Sequence, residues 1–311
     1  MHDDAPYENH SRLDLADAEQ VIYAFRAGAE ATRGAACRRG SIEVISPPGT
    51  LVATGDLHDH PVHYQRLIEI AGLDPDRPDE IIDSPAPVHV MFQEIIHSDR
   101  LLQGCDLSYR ALARIAAVKA VEPERVHVLL ANHELAQLNH AAIVKNGVRM
   151  VEAFEAGLEY VFGAGAGEVE LAIEDFISAM PLALRAETAT GDILCAHSMP
   201  GVGAMGLFDP SVLERELSDA DRAPRTGSAH LMVWGRGYDH DQLEDLVERW
   251  GVNLFILGHE HIDRGVHLFP PNAVILNSDH DRGVYLPIDL SDPPSLNEYP
   301  ARAIPFRRDG F

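Results

Sequence analysis

The feature that most constrains this chain is a junction repeated five times. A short, nearly continuous apolar run stops at a group of side chains of the metal-ligating type. The run 51–56 leads into Gly55-Asp56-Leu57-His58, and 88–94 into Gln93-Glu94-Ile95-Ile96-His97. The run 126–132 leads into Asn132-His133-Glu134, 192–197 into Ala196-His197, and 254–259 into Gly258-His259-Glu260-His261. Apolar runs of this length read as strands covered on both faces. In open α/β sheets the carboxyl ends of such strands line the ligand crevice. Five polar exits of the same polarity can therefore converge on one place.

Three further runs, 231–235 (LMVWG), 273–278 and 284–290, read as strands as well. Helical spacing appears between the strands at 62–71, 107–120 and 241–250, and also near the start at 13–36, where Leu15, Ile22 and Phe25 recur. Strand and helix in alternation argue for an α/β fold. Residues 135–182 read as a mostly helical insertion. The Gly163–Gly167 stretch within it reads as a connection between helices rather than a phosphate loop, because it follows no strand and has the wrong glycine spacing. The Pro-rich tail 291–311 reads as an arm. The expectation is a single domain over 1–311, with a core of about 45–290 and a helical N-terminal extension over 1–44.

The order of ligands resembles that of the calcineurin-like metallophosphoesterase superfamily: D-x-H, then G-D-x-x-D, then G-N-H-[DE], then H, then G-H-x-H. The resemblance spans roughly residues 50–290. It looks closest to the serine/threonine phosphoprotein phosphatase branch, because MPLALRAETATGDILCAHSMPG and LMVWGRGYD are similar to that branch's stretches in the same order. The resemblance implies a sandwich of two central mixed β-sheets flanked by helices. It also implies two divalent ions, Mn²⁺ first, with Fe, Zn²⁺ or Ni²⁺ as alternatives for an imidazole and carboxylate set. Position by position, one ion falls to Asp56, His58, Glu94 and His261. The other falls to Glu94, Asn132, His197 and His259. Glu94 would bridge them, and Asp56 is a second candidate bridge. Ions roughly 3.5–4 Å apart would turn a bridging water into hydroxide for attack on phosphorus. His133 would protonate the leaving group, and Glu134 would support the local structure.

The chain departs from the pattern around Glu94. The family's first Asp is Glu94 here, and its second Asp, which orients the catalytic His, is His97. A neutral imidazole accepts a hydrogen bond but lacks the carboxylate's charge. Asp99 is the candidate to take over that role. The phosphate-binding arginine after that Asp has no partner in register. Arg100 is the nearest candidate, and Arg236 corresponds to a second family arginine. Asp59 stands where the family has Gly after D-x-H, and Ala131 where it has Gly before Asn-His.

The implied function is a metal-dependent phosphatase acting on a phosphoprotein or a small phosphorylated compound. Two other readings stand beside it: a dinucleoside polyphosphate or phosphodiester hydrolase, and a metal-binding regulatory protein whose catalysis Glu94 and His97 have weakened. With 25 basic against 49 acidic residues the net charge is −24, which disfavours nucleic acid and anionic membranes as partners. Cys37, Cys105 and Cys195 are widely spaced, the first ten residues lack an apolar core, and no run of 18 apolar residues occurs. Together these set the expectation of a reducing, cytoplasmic compartment.

Overall fold

A computed structural model describes residues 13–74 and 86–307. The first ten residues therefore lie outside the described residues, as does the end of the expected arm. The five-stranded sheet runs Ile304–Pro305, Val284–Asp289, Thr50–Thr54, Val88–Gln93, Val126–Leu129. Its last three strands are mutually parallel, so their carboxyl ends share one edge. The seven-stranded sheet runs Arg38–Arg39, Ile42–Ile45, Ala183–Ala186, Ile193–Ala196, Leu254–Leu257, Ala273–Leu276, Val266–Phe269. Within it Ile193–Ala196, Leu254–Leu257 and Ala273–Leu276 are parallel.

Strand alternation sorts the side chains into two cores. Leu51, Ala53, Met91 and Leu129 of the smaller sheet meet Leu184, Cys195, Ile256 and Leu276 of the larger one in a single apolar cluster. The intervening residues, such as Val52, Val90, Phe92 and Val128, join Leu67, Leu112 and Ile115 of the covering helices. These helices are Pro61–Ile70 and Tyr109–Val121. Helix Ala18–Gly34, capped by the Asp17 side chain, packs against Tyr109–Val121 and against Ala166–Ala179. The result is the two-sheet α/β sandwich with flanking helices that the resemblance implied.

Four segments differ from the sequence reading. Residues 231–235 are not a strand, because Ser228–Val233 is a helix that buries Ala229, Met232 and Val233. A five-residue apolar run carries no period of its own, and here the i, i+3, i+4 burial decides it. The insertion contains a hairpin, Val144–Lys145 paired with Val148–Arg149, between Asn132–Leu138 and the helices Met150–Phe162 and Ala166–Ala179. Its turn is Asn146-Gly147, both at positive φ (51° and 80°). That is the conformation a two-residue hairpin turn demands and Asn-Gly supplies. The arm folds back as the short helix Tyr299–Arg302, and Ile304–Pro305 pairs with Val284–Asp289. The end of the N-terminal extension supplies two strands, Arg38–Arg39 and Ile42–Ile45, to the larger sheet.

Candidate metal centre

The five polar exits meet where the carboxyl ends of both sheets face each other. Beyond the strand Thr50–Thr54, Asp56 forms isolated parallel bridges to Gln93 of its own sheet and to Asn277 beyond the other. Its Oδ1 accepts the His259 backbone N–H at 2.8 Å. A Cβ on the neighbouring Gly258 would stand 2.5 Å from that oxygen, so only glycine lets the two exits approach this closely. His58, Glu94, His97 and His259 all leave their strands with positive φ, between 42° and 69°. Left-handed backbone at non-glycine residues is strained and tends to cluster at functional sites.

Hydrogen bonds fix the tautomers. His58 Nδ1 bonds the Ile96 carbonyl at 2.8 Å, which leaves Nε2 as a lone pair 3.4 Å from Glu94 Oε1. Gln93 Nε2 donates to the Thr54 carbonyl at 2.7 Å, so its Oε1 is the group that accepts from His197 Nδ1 at 2.9 Å. His197 Nε2 is then a lone pair, and it faces Asn132 Oδ1, itself an acceptor, at 2.7 Å. His259 Nδ1 lies 3.1 Å from both of these atoms, and Glu94 Oε2 lies 3.0 Å from His197 Nε2. Despite that proximity no donor is aimed at Glu94 Oε2, and His259 Nε2 is likewise buried without a hydrogen-bond partner. Acceptors that converge in a buried place repel one another unless a cation lies among them. The donor set of carboxylate, amide oxygen and imidazole suits a divalent transition ion.

The electrostatics agree with this reading. Burial, then the Glu94 charge, raises the Asp56 carboxyl well above its ordinary range. Burial, then Glu134, pushes Glu94 up to about 8. Burial lowers His58, His133, His197 and His259, so these imidazoles are neutral rather than cationic. Bound cations reverse such shifts for the carboxylates. Glu134 sits behind the ligands, its Oε1 accepting Ile95 N–H at 2.7 Å and Ile96 N–H at 3.2 Å.

His133 lies beside the ligands, with Nε2 3.2 Å from Glu94 Oε1. Its Nδ1 is 2.8 Å from His97 Nδ1, and His97 Nε2 is 3.0 Å from Gln137 Oε1. The Gln137 oxygen takes the His97 Nε2 proton, so His97 Nδ1 accepts and His133 Nδ1–H donates. Burial holds His97 at about 4, so this pair is uncharged.

Three of the residues singled out from sequence are placed elsewhere. His261 groups with Asp279 and His280 rather than with His58 and Glu94. The chain reverses at His259 (φ 69°), and the His261 side chain stands 69% exposed, 3.2 Å from Asp263. Asp99 does not touch His133. It pairs instead with Lys145 Nζ at 3.1 Å and accepts from Asn146 Nδ2 at 3.3 Å. Arg100 is spent on the ligand loop, donating to the carbonyls of His58 (2.9 Å) and Asp59. Arg236 is exposed, and its charge contributes to lowering His197 and His259. Gln93, Gln137 and Lys145 were missed. For Gln93 the signal was present, since an amide ended an otherwise apolar strand.

The calcineurin-like phosphoesterase family profile matches residues 49–263. The chain belongs to this family. No curated protein sequence matches it. Among solved structures, the phosphoesterase is similar to a Saccharomyces cerevisiae protein serine/threonine phosphatase with similarity to human phosphatase PP5. The TM-score is 0.64 at 14% identity, covering 88% of this chain and 83% of that one. It is also similar to a cold-active protein-tyrosine phosphatase of a Shewanella species, with TM-score 0.52 at 13% identity over 79% and 77% of the two chains. At such identities the likeness is one of fold. No helix among the described residues of the phosphoesterase is long and apolar enough to cross a membrane.

Proposed function

We propose that this phosphoesterase hydrolyses phosphate monoesters, of a phosphoprotein or a small phosphorylated compound, with two divalent ions held by Asp56, His58, Glu94, Asn132, His197 and His259. The observation that carries the reading is the convergence of three acceptor atoms, Glu94 Oε2, Asn132 Oδ1 and His197 Nε2, with the His259 ring beside them. When bound, the ions supply Lewis acidity toward phosphoryl oxygens and a nucleophilic water near neutral pH. Mn²⁺ is the first choice, because the set mixes imidazole with hard oxygen donors.

The side chains divide the remaining work. Gln93 holds the His197 ring so that Nε2 faces the centre. Orienting partners of this kind are typically worth about 10–100-fold in metal affinity. Arg236 brings positive charge beside His197 and His259 for the incoming phosphate. His133 keeps its Nδ1 proton on His97, so its Nε2 would first have to take up a proton, forming the imidazolium, before passing one to the leaving oxygen. His97 fixes that tautomer without adding negative charge, so it stabilises a His133 imidazolium less than a carboxylate would.

The test is a reconstitution. The chelated protein is loaded with Mn²⁺ and offered p-nitrophenyl phosphate and a phosphopeptide. Turnover is expected only after loading. His133→Asn is expected to keep its metal and lose about 10²–10⁴-fold in turnover, the usual worth of a general acid. Wild-type turnover in that variant would remove His133 from the chemistry, and a metal-loaded protein inert toward both esters would sink the phosphatase reading.

A further inference from the structure

Of the 25 basic residues other than histidine, 23 are arginines and two are lysines, Lys119 and Lys145. A lysine differs from an arginine in offering a compact ammonium with three rotatable donors. Lys119 has all three of its protons satisfied inside the fold. Lys145 does not. Its Nζ is buried, lies 3.1 Å from Asp99 Oδ2, and forms no aligned hydrogen bond.

The hairpin that carries Lys145 sits against the helix that begins with Asn132 and His133. Ile143, Met150 and Val151 pack on Ala136 of that helix, with Val148, Leu101 and Trp234 completing the cluster. This seat brings the Lys145 charge within reach of the centre. Asp99, which holds it, lies on the loop 97–101, whose His97 Nδ1 is 2.8 Å from His133 Nδ1 and whose Arg100 donates to the His58 carbonyl. That loop borders the centre beside His58 and His133, and the nearby cation expected from sequence, Arg100, is bonded to backbone carbonyls.

We propose that Lys145 is a substrate-binding residue of this centre, giving its ammonium to a non-bridging oxygen of a dianionic phosphate monoester, with Asp99 as the counterion that holds it between turnovers. The proposal rests on the phosphoesterase reading and narrows it. A monoester carries one more negative charge than a diester, and Lys145 is the group that rewards the difference. Asp99 thereby acquires a role other than orienting His133. It positions Lys145 and competes with the phosphate for it.

The experiment uses the full chain loaded with Mn²⁺ and reads inorganic phosphate binding by calorimetry. Alongside it, kcat and KM are measured for p-nitrophenyl phosphate and bis-p-nitrophenyl phosphate. Lys145→Met is expected to weaken phosphate binding by about 10- to 100-fold, the range for a lost charge-assisted hydrogen bond. It should raise the monoester KM similarly and change the diester KM much less. Lys145→Arg should recover only part of the loss. Asp99→Asn, which frees the ammonium, should tighten phosphate binding. If Lys145 served only to tether the hairpin, Lys145→Met and Asp99→Asn would impair both esters alike, and that result overturns the proposal. Unchanged phosphate affinity in Lys145→Met overturns it too. Because phosphate binding is read without turnover, a wild-type protein that binds phosphate but cleaves neither ester would sink the phosphatase reading and leave Lys145 judged on binding alone.

Discussion

Two buried polar clusters lie at opposite ends of the same strands, and they are built on opposite rules. At the amino ends, Lys119 Nζ donates to Glu43 Oε1 at 2.7 Å and to the carbonyls of Pro123 and Val126, both at 2.8 Å. His127 Nδ1 takes the other Glu43 oxygen at 2.5 Å, and His127 Nε2 meets His89 Nδ1 at 3.2 Å. Glu43, Lys119 and His127 are completely buried and completely partnered. Cys37, Glu43 and His127 have the spacing of a metal trio. Yet the ammonium already fills the cation's place, and burial, then Glu43, pushes the Cys37 thiol up to about 12. At the carboxyl ends the reverse holds, with acceptors facing acceptors and carboxylate and imidazole atoms left without donors. Matched polarity is what a folded core needs for itself, whereas mismatched polarity at equal burial is what it keeps for a ligand.

The largest effect expected from breaking this contrast is at the matched end. Lys119→Met leaves Glu43 ionised and only half satisfied, and removing one partner of a buried pair costs about 3–5 kcal/mol. Denaturant unfolding should show that loss, while metal content per folded molecule stays the same. The effect also has a definite pH dependence. Burial alone would raise Glu43, but Lys119 and His127 bring it down to about 2. A depressed carboxyl contributes stability above its ordinary value near 4.5 and loses it as pH falls toward 2. The gap between wild type and Lys119→Met should therefore narrow on acidification. A gap that stayed constant would mean the amine acts by packing alone.

A smaller effect is expected at the mismatched end from Gln93→Ala, which lets the His197 ring turn. Metal affinity should fall by about 10–100-fold with little change in the melting temperature of the metal-free protein. A large loss of stability instead would make Gln93 a member of the core rather than an orienting group. The smallest effect is the proton linkage of metal uptake. Glu94, held at about 8 by burial and Glu134, must lose its proton to bind a cation, and the lowered histidines are already neutral. Uptake at pH 7 should release at least one proton, with Asp56 adding to the count, and affinity should fall at least about tenfold for each pH unit lost below 8. Calorimetry in buffers of different ionisation enthalpy measures that proton directly.

The sequence made the mismatched end legible and the matched end opaque, for a physical reason. Asp56, Glu94, Asn132, His197 and His259 each break an apolar run at its exit, so local polarity advertised them. Glu43, His127 and Lys119 are scattered singly on two strands and a helix, and only the packed fold shows that they touch. His261, two residues past His259, is exposed and lies beside Asp263, Asp279 and His280. His97 and Gln137 form a relay only because helix Asn132–Leu138 brings residue 137 back over the site. The hairpin around Lys145 is a different case. Asn146-Gly147 is a strong local turn signal, but it was absorbed into the helical block 135–182 because its flanking strands are only two residues long.

Asp56, Glu94 and Asn132 belong to the ends of one sheet, and His197 and His259 to the ends of the other. Loaded cations would thus act as a clasp across the two layers. Their grip would depend on how the layers lie on each other, so a methyl group removed from Met91 or Ile256, deep in the seam, would be felt as a looser hold on metal at the rim.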